Sequence, residues 1–242
     1  MEVSSARTDR PLNFLVDTGA NVSVIDQTVA RRLGVKPGAR VNVKGVQTTA
    51  VGFWPQRISA KAGDIPLPKK FLALDLTQLG RACATTVDGL LGADFFHGRI
   101  VQIDFRERVI RLLTAEQGRK LPGESLPLEI RSCGMRVPVS VNAGKPQWLR
   151  LDTGCAAPLH WVTTAVEPER CGRQLAIGLA ALSLPTTRVS AELASTKFDQ
   201  VATVIHEREI FAGEAGLLGA GLLSQFSQIT IDSQTGRLIL TR

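Results

Sequence analysis

Two carboxylates in this chain stand in the same local setting. Phe14-Leu15-Val16-Asp17-Thr18-Gly19-Ala20 returns 135 positions on as Leu149-Arg150-Leu151-Asp152-Thr153-Gly154-Cys155. In both, an apolar stretch delivers an aspartate to a turn whose glycine admits unusual backbone angles. A lone Asp-Thr-Gly carries little, because these are ordinary turn residues; chance produces one in roughly 4% of chains of this length. Two copies in similar settings are different. Two carboxyls brought within a few ångström cannot both ionise cheaply, so they share a proton. One then acts as a base on water, while the other donates its proton to a carbonyl oxygen. That is the chemistry of peptide hydrolysis without metal or covalent intermediate.

The elements that must position these loops repeat as well. Gly89-Leu90-Leu91-Gly92-Ala93 returns as Gly216-Leu217-Leu218-Gly219-Ala220, and Ile103-Asp104 as Ile231-Asp232. A repeat half the chain long means two similar lobes rather than a solenoid. The polar, aperiodic stretch 116–125 reads as a linker, which puts the lobes at 1–115 and 126–242. Apolar runs before each aspartate, and β-branched or alternating stretches at Val22 to Ile25, Val41 to Val43, Ile100 to Ile103 and Gln228 to Ile231, predict strands. Arg106 to Arg108 and Ser233 to Gly236 predict hairpin turns, with Asp104 and Asp232 bonding the turn backbone. Short helices are expected at Gln27 to Leu33, capped by Asp26 and stopped at Gly34, and at Ala93 to His97. The fold class is all-β with minor helices.

Composition narrows the function. With 44% apolar and 21% charged residues the 242-residue chain is an ordinary folding sequence rather than a disordered one. Its formal charge of +7 raises nucleic acid as a partner. The basic residues, however, are dispersed among acids, and with no tyrosine and 5% aromatics a base-stacking platform is poorly supplied. Nucleic-acid binding is therefore not expected. Nor is a membrane span, since no long uncharged run exists. Cys83, Cys133, Cys155 and Cys171 form no C-x-x-C pair, and His97, His160 and His206 lie far apart, so no metal site and no cofactor are expected. The disulfide pairing stays open, with buried free thiols favoured. His160 reads as a satisfied side chain on an apolar run, and Trp54 as a packed core residue. The sequon Asn21-Val22-Ser23 is attributed to chance.

At the paired motifs the chain resembles the aspartic proteases. Leu15-Val16-Asp17-Thr18-Gly19-Ala20 with Leu90-Leu91-Gly92 matches the family pattern, as does Leu151-Asp152-Thr153-Gly154 with Leu217-Leu218-Gly219. The second copy departs twice: Arg150 stands in an apolar place and Cys155 in a small-residue place. The resemblance implies two fused retropepsin-like β-barrel lobes related by a pseudo-two-fold axis. It implies Asp17 and Asp152 as the catalytic dyad, supported by Gly19 and Gly154, with Thr18 and Thr153 cross-linking the loops. It places Gly92 and Gly219 behind the loops and a hairpin flap near Lys44 to Trp54, which includes Gly45, Val46, Gln47 and Gly52. Strand alternation points Arg150 away from the dyad.

The function expected is an aspartic endopeptidase acting on peptides or unfolded protein as a monomer. The alternative is a protease-like domain that binds peptides or a partner without cleaving, for which Arg150 and Cys155 are the hints. No leader-like segment opens the chain, and a periplasmic or secreted place is expected only if a leader has been removed.

Overall fold

The computed structural model describes residues 1–242 except 7, 9, 46–47, 132–133, 166–169 and 175–181. Strands dominate, and all helices among the described residues are short. In the N-terminal half, Leu12–Val16 runs parallel to Gly89–Leu91, which pairs antiparallel with Val24–Asp26, itself parallel to Leu72–Leu74. The hairpin Ala39–Gly45 with Thr48–Trp54 closes that seven-stranded sheet. The C-terminal half repeats the order. Gln147–Asp152 runs parallel to Gly216–Gly219, which pairs antiparallel with Leu159–Val162, parallel in turn to Thr196–His206. The sequence repeat is thus a repeat of topology.

A third sheet joins the halves. Its five strands run Val109–Leu113, Ile100–Asp104, Gln228–Asp232, Arg237–Thr241, Glu124–Pro127. Ile100–Asp104 from one half pairs antiparallel with Gln228–Asp232 from the other, setting Val101 opposite Ile231 and Ile103 opposite Ile229. These residues are buried and belong to one core that also holds Phe14, Phe71, Phe95, Phe96, Leu149 and Leu151. Burying each such side chain is worth about 2 kcal/mol, so the halves are held by a shared core as well as by ladder hydrogen bonds.

Local expectations are met where local chemistry decides. Asp26 caps the helix Gln27–Arg32 by accepting from Thr28 and Val29 N–H, and Gly34 follows its end at φ +67°. Ala93–Phe96 is helical. Asp104 accepts from Glu107 N–H at 2.8 Å, and Asp232 from Gln234 and Thr235 N–H, pinning the two hairpin turns. The stretch 116–125, read as a linker, carries regular structure: Ala115–Arg119 is a helix with a Thr114–Gln117 capping box, and Glu124–Pro127 is a strand of the joining sheet. One local reading needs correction. Trp54 is not a core residue. It is 36% exposed at the end of its hairpin strand, where the apolar interior is already filled by Leu72 and Leu74.

Candidate active site

Asp17 just follows, and Asp152 ends, a strand that pairs with the later Gly-Leu-Leu strand of its half. Asp17 N–H donates to Leu91 O at 2.9 Å, and Ala93 N–H reaches back to Ala20 O at 2.7 Å. Ala220 N–H makes the matching bond to Cys155 O at 2.7 Å. Gly92 and Gly219 lie behind the two loops. A Cβ on either would overlap backbone, that of Val22 for Gly92 and that of Ala157 for Gly219, so no larger residue fits.

The two loops meet. Thr18 N–H donates to Thr153 Oγ1 at 3.1 Å and Thr153 N–H to Thr18 Oγ1 at 3.0 Å. Each hydroxyl passes its proton on across the junction, Thr18 to Leu151 O at 2.7 Å and Thr153 to Val16 O at 2.8 Å. Four bonds thus fix one loop against the other, and the threonine hydroxyls act as donor and acceptor at once. Asp17 Oδ1 accepts from Gly19 and Ala20 N–H, and Asp152 Oδ1 from Gly154 and Cys155 N–H. The carboxyls are so close that a Cβ on Gly19 would land on the Asp152 carboxyl, and one on Gly154 would come within 2.6 Å of Asp17 Cγ.

Both aspartates are buried. Burial raises the pKa of Asp152 well above the usual carboxylate range, and the adjacent negative charge of Asp17 raises it further. Burial also raises Asp17. Hydrogen bonds from Ala20 N–H, from Asp152 and from Gly19 N–H oppose the rise, as does the Arg150 charge. Two raised, adjacent carboxyls favour sharing a single proton between them.

Above the carboxyls lies a cavity of about 510 Å³. Its apolar wall includes Val22, Val24, Leu72, Leu74, Leu79 and Leu90. Asn42 to Gly45 of the hairpin and Phe211 of the C-terminal half also line it. Gly45 thus faces the cavity, while Val46 and Gln47 of the expected flap lie outside the described residues.

Arg150 does not point away from the site. It is buried, donates through Nε and Nη2 to the Glu214 carboxylate at 2.7 and 2.8 Å, and stacks 3.8 Å from the Phe211 ring centre. Its Nη1 donates to Gly19 O at 3.1 Å and Asn21 Oδ1 at 2.7 Å. Alternation fails as a guide because both faces of Gln147–Asp152 are covered at this end, and Gly134 leaves the room the guanidinium occupies. Glu214 and Phe211 were not singled out from sequence, and Asn21 was noted only within a sequon attributed to chance. A signal existed: at the repeat's offsets Arg150 falls on Leu15 and Glu214 on Val87, so opposite charges replace two apolar residues in one copy only.

Cys155 is buried, and its thiol lies 3.3 Å from His160 Nε2. His160 Nδ1 is 2.9 Å from His206 Nε2. Burial, with Asp152 nearby, pushes the Cys155 pKa up. Burial pulls His160 down to about 3, helped by His206, and His206 down to about 4. A protonated thiol against a neutral imidazole pair is not an activated nucleophile. Cys83, like Cys155, is a free thiol; Cys133 lies outside the described residues. Among the described residues no three His, Cys, Asp or Glu side chains gather as metal ligands, and no helix is long and apolar enough to cross a membrane.

Comparison with known proteins gives first a fold. The crystal structure of aspartic proteinase from Irpex lacteus superposes with TM-score 0.57 at 11% identity, covering 99% of this chain and 92% of that one. That of a retropepsin-like aspartic protease from Rickettsia conorii matches at TM-score 0.36 and 16% identity, over 49% of this chain and 89% of that one. No curated protein sequence matches the chain. In sequence, residues 3–95, which carry the Asp17 loop, match the aspartyl protease family model.

Proposed function

We propose that the protein is an aspartic endopeptidase in which Asp17 and Asp152 together activate one water. The observation that carries this reading is the threonine-locked pair of loops, which holds two buried carboxyls sharing one proton at the floor of an apolar cavity. An extended peptide would lie across the cavity beneath the Ala39–Gly45 and Thr48–Trp54 hairpin.

Ionised Asp17 takes a proton from water as the oxygen bonds to the scissile carbon. Asp152 gives its proton to the carbonyl oxygen, forming a neutral diol. The diol collapses as Asp17 returns its proton to the leaving nitrogen and one diol hydroxyl returns its proton to Asp152. The C–N bond breaks, and the dyad regains its starting charge. The non-cleaving alternative loses its two hints, since Arg150 is engaged by Glu214 and Cys155 occupies a buried place beside His160.

The test is cleavage of a peptide library by the wild type and by Asp17→Asn and Asp152→Asn. Each substitution should lower turnover by orders of magnitude with the circular dichroism spectrum unchanged. Near-normal turnover in either variant would remove that residue from the mechanism.

A further inference from the structure

We propose that Arg150 is a positioning residue that makes the dyad asymmetric, reaching from the C-terminal half into the Asp17 loop so that Asp17 serves as base and Asp152 as acid. This rests on the endopeptidase reading for the words base and acid, but not for the asymmetry itself.

The two loops are alike in their threonine bonds and backbone donors, so nothing in the repeated motif decides which carboxyl keeps the proton. Arg150 breaks that equivalence. Its Nη1 corner contacts Gly19 O and Asn21 Oδ1, both on the Asp17 loop. The position matching it in the first half is Leu15, which has no charge to return to Asp152. Glu214 occupies Nε and Nη2 on the opposite side, and both side chains are about 95% buried. The ion pair thus lies with its positive end toward Asp17, and in a dry site such an end acts with little screening. Phe211 covers the guanidinium face and also lines the cavity, shielding the pair from that side. The direction of the electrostatics agrees: the Arg150 charge favours ionised Asp17, whereas Asp152 is disfavoured as an anion by Asp17 itself.

The other titratable groups around the dyad do not supply this bias. Lys44 and Asp75 both line the cavity with opposite charge. Cys155, behind Asp152, stays protonated, and Asp94, bonded to Ser23 behind the first loop, is pushed up by burial.

Two paired experiments test the proposal. The Asp17 and Asp152 carboxyls are titrated by 13C NMR, and the pH–rate profile on a cleaved peptide is recorded, for the wild type and three variants. In the wild type the first proton should leave from Asp17. In Arg150→Met/Glu214→Gln the first step should be divided between the two carboxyls and move up by about 1 pH unit, and the acid limb of the rate profile should follow it. Arg150→Lys should restore most of that shift, because it keeps the charge. Glu214→Gln alone uncovers the Arg150 charge and should move the step down. An upward shift in the double variant together with a downward shift in Glu214→Gln alone would not arise from loosened packing alone.

Should the double variant fail to fold, the downward shift in Glu214→Gln still decides. A titration that stays put in the double variant or in Glu214→Gln, or that moves the same way in both, overturns the asymmetry. Movement as stated with no peptide cut by the wild type would instead overturn the endopeptidase reading and leave the asymmetry standing.

Discussion

The buried pair His160–His206 makes a quantitative prediction about acid stability. Both rings are 1% exposed, and both stay neutral in the folded protein down to about pH 3 and 4, against 6.5 for a free histidine. A base whose folded pKa is depressed binds its proton first in the unfolded chain. Its contribution is therefore whole above pH 6.5 and is lost as pH falls toward the folded value. At pH 5 each histidine lies about 1.5 units below its unfolded pKa, which costs about 2 kcal/mol apiece and about 4 kcal/mol for the pair. Carboxylates also titrate in this range, so the measurement is a difference. Urea unfolding, followed through the tryptophans of the C-terminal half, is compared at pH 7.5 and pH 5 for the wild type and His160→Gln/His206→Gln. The stability advantage of the wild type should shrink by about 4 kcal/mol on acidification. An advantage that is the same at both pH values would refute the reasoning, because it would mean that the pair protonates without cost in the folded state. A dyad that works in acid would then share its pH range with a fold that weakens there, and loss of activity below about pH 5 should track unfolding.

Thr18→Val removes the bond to Leu151 O and the acceptor for Thr153 N–H; thermal melting should show a loss of about 1–3 kcal/mol, with activity falling further than stability. Gly154→Ala should displace the Asp17 carboxyl and lower turnover at least tenfold in a protein that still folds by circular dichroism, and full activity would show that the loops do not approach as described. Cys155→Ala should keep most activity and iodoacetamide should not inactivate the wild type, since the thiol is buried and its pKa raised. The pH–rate profile should be bell-shaped with an optimum below about pH 7, falling on the alkaline side as Asp152 loses its proton. Because one chain carries both loops, specific activity should hold constant on dilution to low nanomolar, and a steep fall would assign the working site to an oligomer.

Much of the fold was legible in sequence because it is written locally or by repetition. A strand that ends in Asp-Thr-Gly, a helix capped by Asp26 and two hairpins pinned by Asp104 and Asp232 depend on neighbours a few residues away. The doubling of the motif told which aspartates would meet, since equivalent loops in equivalent lobes present equivalent faces. What only the tertiary structure decided concerns groups whose partners are distant and whose environment is set by packing. Arg150 and Glu214 are 64 residues apart, and the carboxylate near Arg150 in sequence is Asp152, which is not its ion-pair partner. His206 reaches His160 across 46 residues because two strands run parallel there, and that places a histidine beside Cys155 that spacing alone could not. The helix and strand of the stretch 116–125 were not visible in sequence because its helix is one short turn of polar residues and its strand is stabilised only by pairing with Arg237–Thr241. Trp54 looked like core because size and apolarity carry no information about which end of a hairpin faces water. Short-range chemistry fixes backbone geometry and turns, whereas the partner of a charge, the tautomer of a buried ring and the exposure of a large side chain are settled by contacts that exist only once the chain has closed on itself.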